Sequence, residues 1–303
     1  MDQIIDIATD GRHLSRDRGF LKVSSDGQEI GRTPLDQIAG VIVHAHGTTW
    51  STSLLTELAE RGAPVVLCAA NHAPKSVLLP IEGHHVQGAR MRAQWQAKAP
   101  FLKRAWQQVV TAKVLMQAAA LDAIGEVSAP LNMMARKVTS GDSGNIEAQA
   151  ARYYWPRMMG SDFRRDTGAG DENALLNYGY TVLRAATARA VVAAGLHPTI
   201  GLFHSNRGNA FALADDLMEP FRPLVDCTVR TLVASQSGQV DTHAKQALAR
   251  LIAIDLPLGD TLSPVSVACM KLATSLGQSF EAGRLDLALP RPPDPLTLAG
   301  LGS

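Results

Sequence analysis

The chain has 303 residues and a mass of 32.3 kDa, long for one compact domain of about 100–200 residues, so two domains are expected. With 46% hydrophobic and 19% charged residues, it has too much apolar material and too little charge for a disordered chain. Lys and Arg total 29 against 28 Asp and Glu, a net charge of +1, which excludes a uniformly basic nucleic-acid coat and an acidic buffer protein.

In chain order, residues 1–82 alternate apolar runs of strand length with turn residues. Candidate strands are Ile4 to Ala8, Gly19 to Ser24, Gln28 to Thr33, Ile38 to Ala45, Pro64 to Ala69 and Ser76 to Ile81, with Ser25-Asp26-Gly27 as a hairpin turn. One helix interrupts them, capped by Ser51 or Ser53, buried through Leu54, Leu55 and Leu58, and closed by Gly62 before Pro64. A polar, glycine-flanked joint follows at residues 83–88. Residues 89–288 are rich in helix formers. There Trp106, Val109, Val110, Val114 and Leu115, and later Val182, Leu183, Ala186 and Ala190, recur near the helical period. The expected fold class is therefore α+β: a small β-rich N-terminal domain with one helix, then a larger all-α domain. Residues 289–303 form a proline-rich tail, expected to be extended or disordered because proline cannot continue a helix.

Cys68, Cys227 and Cys269 are odd in number and widely spaced, which suggests neither a disulfide framework nor a zinc site. Acids stand in Met1-Asp-Gln-Ile-Ile-Asp6 where a signal peptide needs a basic region. No run approaches about 18 uninterrupted apolar residues, and a reducing cytoplasm is the expected location.

Charge by segment says more than the total. Residues 1–85 carry 7 basic and 10 acidic side chains, residues 86–165 carry 12 and 5, and residues 166–303 carry 10 and 13. The basic middle segment interleaves its cations with Trp95, Trp106, Tyr153, Tyr154 and Trp155. That mixture suits contact with phosphates and bases, and equally a solvated helix surface with core aromatics. Within it, Gly144-Asn145-Ile146-Glu147 reads as a helix start with Asn145 able to cap it. Glu147 then falls in the first turn, where an acid complements the helix dipole whether or not it has another role. Arg152, Arg157, Arg164 and Arg165 follow and are candidates for holding a polyanion near that carboxylate.

A second cluster runs from Gly195 to Asp226. Turn residues lead to His204, and a helix carries Asp215, Asp216 and Glu219, the first two spaced to share a face with the third. Carboxylates so close repel unless a cation or an arginine intervenes. One imidazole with several carboxylates and no thiolate is a hard ligand set suited to Mg2+ or Mn2+; a solvated acidic helix face is the plain alternative. His44-x-His46 reads as a surface pair at a strand end without a neighbouring carboxylate, and His84-His85 as part of the joint. The chain has no phosphate-binding loop, dinucleotide turn or nucleophile elbow.

Four ordered blocks carry a resemblance over essentially the whole chain. They are Gly144-Asn-Ile-Glu147-Ala, Asn173-Ala-Leu-Leu-Asn177-Tyr178-Gly179-Tyr180-Thr-Val-Leu-Arg184, Gly195-Leu-His-Pro-Thr-Ile-Gly201 with His204, and Ala214-Asp-Asp-Leu-Met-Glu219-Pro-Phe-Arg222-Pro-Leu-Val-Asp226. Together they resemble the CRISPR-associated adaptation integrases, metal-dependent DNA endonucleases that insert new spacers into CRISPR arrays, and in particular the versions of type II systems. The resemblance implies a catalytic metal triad at Glu147, His204 and Glu219, where many members have Asp as the third ligand. It leaves open whether Asp215 or Asp216 approaches the metal. It also implies a homodimer formed through the β-rich domain, double-stranded DNA as substrate, a small ferredoxin-like partner bridging two dimers, and association with an RNA-guided effector nuclease. Arg152, Arg157, Arg164, Arg165, Arg207 and Arg222 are the expected DNA contacts. His204 acting as a base, a catalytically idle DNA scaffold, and a metal-dependent hydrolase of small phosphoesters are the competing readings.

Overall fold

The computed structural model describes residues 3–69, 74–166, 168–170, 172–204, 206, 208–235 and 239–302. Its N-terminal part holds β1 (Gln3–Ile7), β2 (Arg12–Asp17), β3 (Phe20–Ser25), β4 (Gln28–Pro34), β5 (Ile38–Val43), β6 (Thr49–Trp50), α1 (Thr52–Glu60), β7 (Val65–Cys68) and β8 (Pro74–Leu78). One sheet has the order β4-β3-β2-β6 and the other β1-β5-β7-β8, the latter parallel except for β8. The expected hairpin turn forms, with Asp26 and Gly27 both at positive φ. Ser51 caps α1 by accepting from the Leu54 amide.

Strand β2 went unread in the sequence because its pattern is nearly all polar. Only Leu14 among Arg12–Asp17 is buried, and pairing with β3 on one side and β6 on the other supplies the strand.

Every residue of β5 is buried, because each face of its sheet meets a different core. Val41 and Val43 point with Val65 toward Leu14, Leu21, Leu54 and Leu58 in a small core. Ile42, with Val66 and Cys68, faces the other way into a larger core built by the helices, and Ala39 joins that core where the register of β1 with β5 skips it. The N-terminal sheet and the helical region therefore share apolar packing.

The rest of the chain holds α2 (Gln87–Trp95), α3 (Ala99–Ala123), α4 (Ala129–Ala135), α5 (Ile146–Met159), α6 (Glu172–Ala193), α7 (Ala212–Met218), α8 (Arg222–Ala234), α9 (Thr242–Arg250), β9 (Asp255–Leu258), β10 (Thr261–Pro264), α10 (Val265–Ala282) and α11 (Pro295–Ala299). Helix α3 packs against α4, α5 and α8, and α6 against α7 to α10. Gly179 lets α6 and α8 approach closely: a Cβ there would lie 2.4 Å from Val225 Cγ1. Among the described residues no helix is long and apolar enough to cross a membrane.

Two expectations need correction. The C-terminal part is not all-α, since β9 and β10 form an antiparallel hairpin around Gly259. Leu256 and Leu258 alternate inward there as strand residues do. The tail is ordered rather than disordered. Asp294 caps α11 by accepting from the Thr297 amide at 3.0 Å, Pro295 opens the helix, and Leu298 and Leu301 enter the large core.

Candidate active site

Glu147 is the second residue of α5. The cap differs from the expected one: Asn145 takes a left-handed conformation and its side chain caps nothing. Asp142 does the capping, accepting from the Ile146 amide at 2.8 Å and the Glu147 amide at 3.0 Å. Two of the helix's unpaired donors are thereby satisfied, and the backbone beneath Glu147 is fixed. Its carboxylate reaches Lys113 Nζ at 2.6 Å, and Glu219 approaches the same nitrogen, also at 2.6 Å.

Lys113 was not picked out in the sequence, although its position carries a signal. It stands four residues after Val109 and three after Val110, on the buried stripe of α3. Burial opposes its charge, but Glu219 and Glu147 outweigh burial and raise its pKa. Burial likewise works against ionised Glu219, while Arg222 and Lys113 hold its carboxyl below the usual range. The second Glu219 oxygen lies 3.0 Å from Arg222 Nε.

His204 is set by the loop before α7. The amides of Leu202 and Phe203 donate to Asp216 Oδ2 at 2.6 and 3.0 Å, and the His204 ring meets Asp216 Oδ1 through Nδ1. Gly201 makes this fold of the chain possible, because a Cβ there would lie 2.6 Å from the His204 carbonyl oxygen and 2.8 Å from Asp216 Oδ2. Asp216, fully buried, raises the His204 pKa by its hydrogen bond. With Nδ1 engaged, Nε2 is the nitrogen left to act on anything outside. The ring stands edge-on to Trp106 and Phe203.

Asp215 and Asp216 of α7, and Glu219 in the short 3-10 turn that follows it, thus divide their work. Asp215 pairs with Arg184 through two contacts of 2.6 and 2.7 Å and accepts from Asn209. Asp216 orients His204, and Glu219 faces Lys113.

The expected DNA-binding arginines fall into different settings. Arg152 is exposed. Arg157 lies over the Tyr153 ring at 3.6 Å, and Arg164 donates to the carbonyls of Ser161 and Phe163. Arg165 and Arg222 both overlie Tyr180. With Arg184 and Asn177 they line a cleft of about 190 Å³, from which Arg222 also reaches Glu219. Arg165 is held by Asn173 and Asn177 at 2.9 and 2.7 Å. Arg207 lies outside the described residues. Below the cleft, Asp226 accepts from the hydroxyls of Tyr154 and Tyr180. Burial pushes its carboxyl up to about 6 despite them.

Of the histidine pair at residues 44 and 46, His46 is exposed as expected and His44 is not. His44 is no surface group: its side chain is 6% exposed and its Nε2 lies 3.2 Å from Asp6, which also meets Lys245 at 3.0 Å. Strand pairing of β1 with β5 brings Asp6 to it, a proximity that the sequence separation concealed.

Among the described residues, no three His, Cys, Asp or Glu side chains stand as a ready metal cluster. The donor set still suits a hard divalent cation. Two carboxylates from different helices converge on one positive charge, and a neighbouring imidazole keeps one nitrogen free with its other nitrogen held by a carboxylate. A metal here would take the place of the Lys113 ammonium.

Comparison with known proteins matches residues 5–251 to the family model of CRISPR associated protein Cas1. The chain is 36% identical over 284 residues to the CRISPR-associated endonuclease Cas1 of Neisseria meningitidis serogroup C (strain 8013), covering 91% of this chain and 90% of that protein. A casposase bound to integration product shares the fold at TM-score 0.79 and 20% identity, over 97% of this chain and 93% of the other. A chain of a Cas6-RT-Cas1–Cas2 complex does so at TM-score 0.73 and 18% identity, over 93% of this chain and 35% of that one.

Proposed function

The chain belongs to the CRISPR associated protein Cas1 family, and from that premise we propose that it is a metal-dependent DNA endonuclease and integrase of spacer acquisition. In this reading the 3′-hydroxyl of a spacer-precursor strand attacks a phosphodiester at the repeat boundary. The oxygen of the cleaved strand leaves as the new bond forms. Water in place of the hydroxyl gives nuclease activity.

The observation that carries the reading is the meeting of Glu147 and Glu219 on the Lys113 nitrogen beside a ring-oriented His204. Glu147, His204 and Glu219 would hold Mg2+ or Mn2+, which when bound supplies Lewis-acid stabilisation of charge on the phosphoryl oxygens. Asp216 fixes the imidazole tautomer, and Asp142 fixes the backbone under Glu147. In the cleft that Arg184 and Arg222 line while paired to Asp215 and Glu219, Arg165 would offer its guanidinium to a DNA phosphate. Positioning two DNA strands is the larger task.

The proposed partners are double-stranded DNA, a second copy of the chain, a small ferredoxin-like CRISPR-associated protein and an RNA-guided effector nuclease. The casposase and Cas1–Cas2 structures of the same fold support the DNA and Cas-protein parts of that assignment.

The test is strand transfer with a labelled 3′-hydroxyl oligonucleotide in Mg2+ or Mn2+, and in chelator. Joined product is expected only with metal, and its loss is expected in Glu147→Ala and Glu219→Ala, each still folded by circular dichroism. Joining by both variants at the wild-type rate would overturn the triad. Absence of joined product from the wild type with its partner would favour an idle DNA scaffold.

A further inference from the structure

Phe203 directly precedes His204 and is 50% exposed, whereas Trp106 beneath it is fully buried. The two rings are parallel, with centroids 4.6 Å and planes 1° apart. Trp106 therefore covers one face of Phe203 and fixes its plane, and the Phe203 amide is pinned by Asp216 at 3.0 Å. The result is a rigid aromatic ring, open on its outer side, at the edge of the proposed reaction centre. Core packing alone does not require it, since a branched aliphatic side chain would also cover Trp106.

Base–aromatic stacking is sequence-tolerant because every base offers a π-face. A base inside a duplex has neighbours on both faces. The last base of a strand has one face free. A single open ring beside the catalytic residues matches that geometry.

We propose that Phe203 stacks on the 3′-terminal base of the DNA strand whose hydroxyl reacts, extending the stack begun by Trp106. Resting on the DNA-joining reading above, this assigns Phe203 to positioning the nucleophile. The terminal sugar is steadied beside Glu147, His204 and Glu219, and the identity of the base matters little.

The test uses a duplex carrying 5-iodouracil as its 3′-terminal base, a group that crosslinks under ultraviolet light to a stacked aromatic ring. Crosslinking to Phe203, mapped by peptide mass spectrometry, is expected with the terminal label and not with the same label placed internally. Phe203→Leu should lose the crosslink and raise KM for the 3′-hydroxyl strand about tenfold or more, the scale of one lost base stack. Phe203→Trp should keep both near wild type. A strand ending in an abasic nucleotide should abolish the difference between wild type and Phe203→Leu.

Crosslinking that does not involve Phe203 would overturn the proposal. So would a defect of Phe203→Leu that persists undiminished on the abasic strand, since the ring would then act only by packing against His204. A wild-type protein that crosslinks at Phe203 but joins no strands would support the stack while overturning the joining reading.

Discussion

Lys113 and Lys245 are both deeply set cations facing carboxylates, with side chains 12% and 11% exposed, and each has a histidine nearby. Around Lys245, one carboxylate, Asp6, serves both the lysine and His44. Burial opposes the charge of Asp6, yet these partners hold its pKa down. Around Lys113, two carboxylates compete for one ammonium, and the histidine is claimed by a third acid. The histidines differ most: His44 is 6% exposed and His204 40%. A cluster in which one carboxylate serves both a lysine and a deeply set histidine fastens β1, and the residue after β5, to α9. A cluster in which Glu147 and Glu219 share the Lys113 ammonium, with Arg222 on the far Glu219 oxygen and an open imidazole alongside, has the donor types to accept a cation in place of that ammonium. Similar residue types thus take structural or chemical roles according to charge balance and access.

Replacing each lysine separates the two roles. Lys245→Met leaves Asp6 with one fewer cation in a mostly buried place, and should cost about 2–3 kcal/mol of folding stability, read from urea denaturation. Strand transfer per folded molecule should be unchanged. Lys113→Met should lower the thermal midpoint without metal and restore it when Mn2+ is added. Binding at about 100 times the dissociation constant is worth about 2.7 kcal/mol, so the Mn2+-dependent shift should exceed that of the wild type, from which the metal must first displace the ammonium. Equal shifts in the two proteins would break the comparison at its centre.

Asp226 is more closed than Asp6, at 2% exposed against a side chain 20% exposed, and is partnered by tyrosines rather than a lysine. Burial pushes its folded pKa up to about 6, above the ordinary aspartate range of about 4. The folded state therefore binds the extra proton, and this group's contribution to stability is full below about pH 4 and lost as pH rises through 6. The unfolding free energy of the wild type, read from urea denaturation, should fall relative to that of Asp226→Asn between pH 4 and 7 by an amount on the order of 3 kcal/mol. A pH-independent difference would mean that Asp226 is ionised throughout and that the tyrosines outweigh its burial.

The periodic elements were legible in the sequence because burial follows periodicity. Leu54 and Leu58 mark α1, and Trp106, Val109, Val110 and Val114 mark α3, all inside as expected, whereas Leu55 is only partly buried and Leu115, at the edge of its stripe, is exposed. What was hidden needed partners from elsewhere in the chain. Strand β2 is polar and exists through its neighbours. The β9–β10 hairpin carries only two inward leucines. His44 meets Asp6 only once β1 and β5 pair. At the candidate site, the types and spacing of Glu147, His204 and Glu219 were readable, whereas the division of labour among Asp215, Asp216 and Glu219 was not. Helical spacing permits a shared face. It does not say that Arg184 draws off the first acid and the His204 loop the second. Lys113 was readable in principle as a charge on an apolar stripe, but its two partners arrive from 34 and 106 residues away.

The smallest expected effect concerns the cations beside the Lys113 cluster. Arg184 and Arg222 in the cleft each already face a carboxylate, so their charge is largely spent within the protein. Among the described residues, the hydrogen bonds of the Arg165 side chain go to the neutral amides of Asn173 and Asn177, and it lies over Tyr180. Burial lowers its pKa, which leaves it charged at neutral pH, since a guanidinium starts far above that range. It is therefore the member of the cleft whose charge remains to be neutralised by a phosphate. One such contact releases about one counterion. Arg165→Gln should weaken DNA binding several-fold at moderate salt and reduce the slope of log affinity against log salt by about 1, with Mn2+-dependent thermal stabilisation unchanged. An unaltered salt slope would assign Arg165 to the packing of Tyr180. The phosphate contact would then move to the exposed basic side chains of the middle segment, of which Arg152 is the nearest in sequence to Glu147.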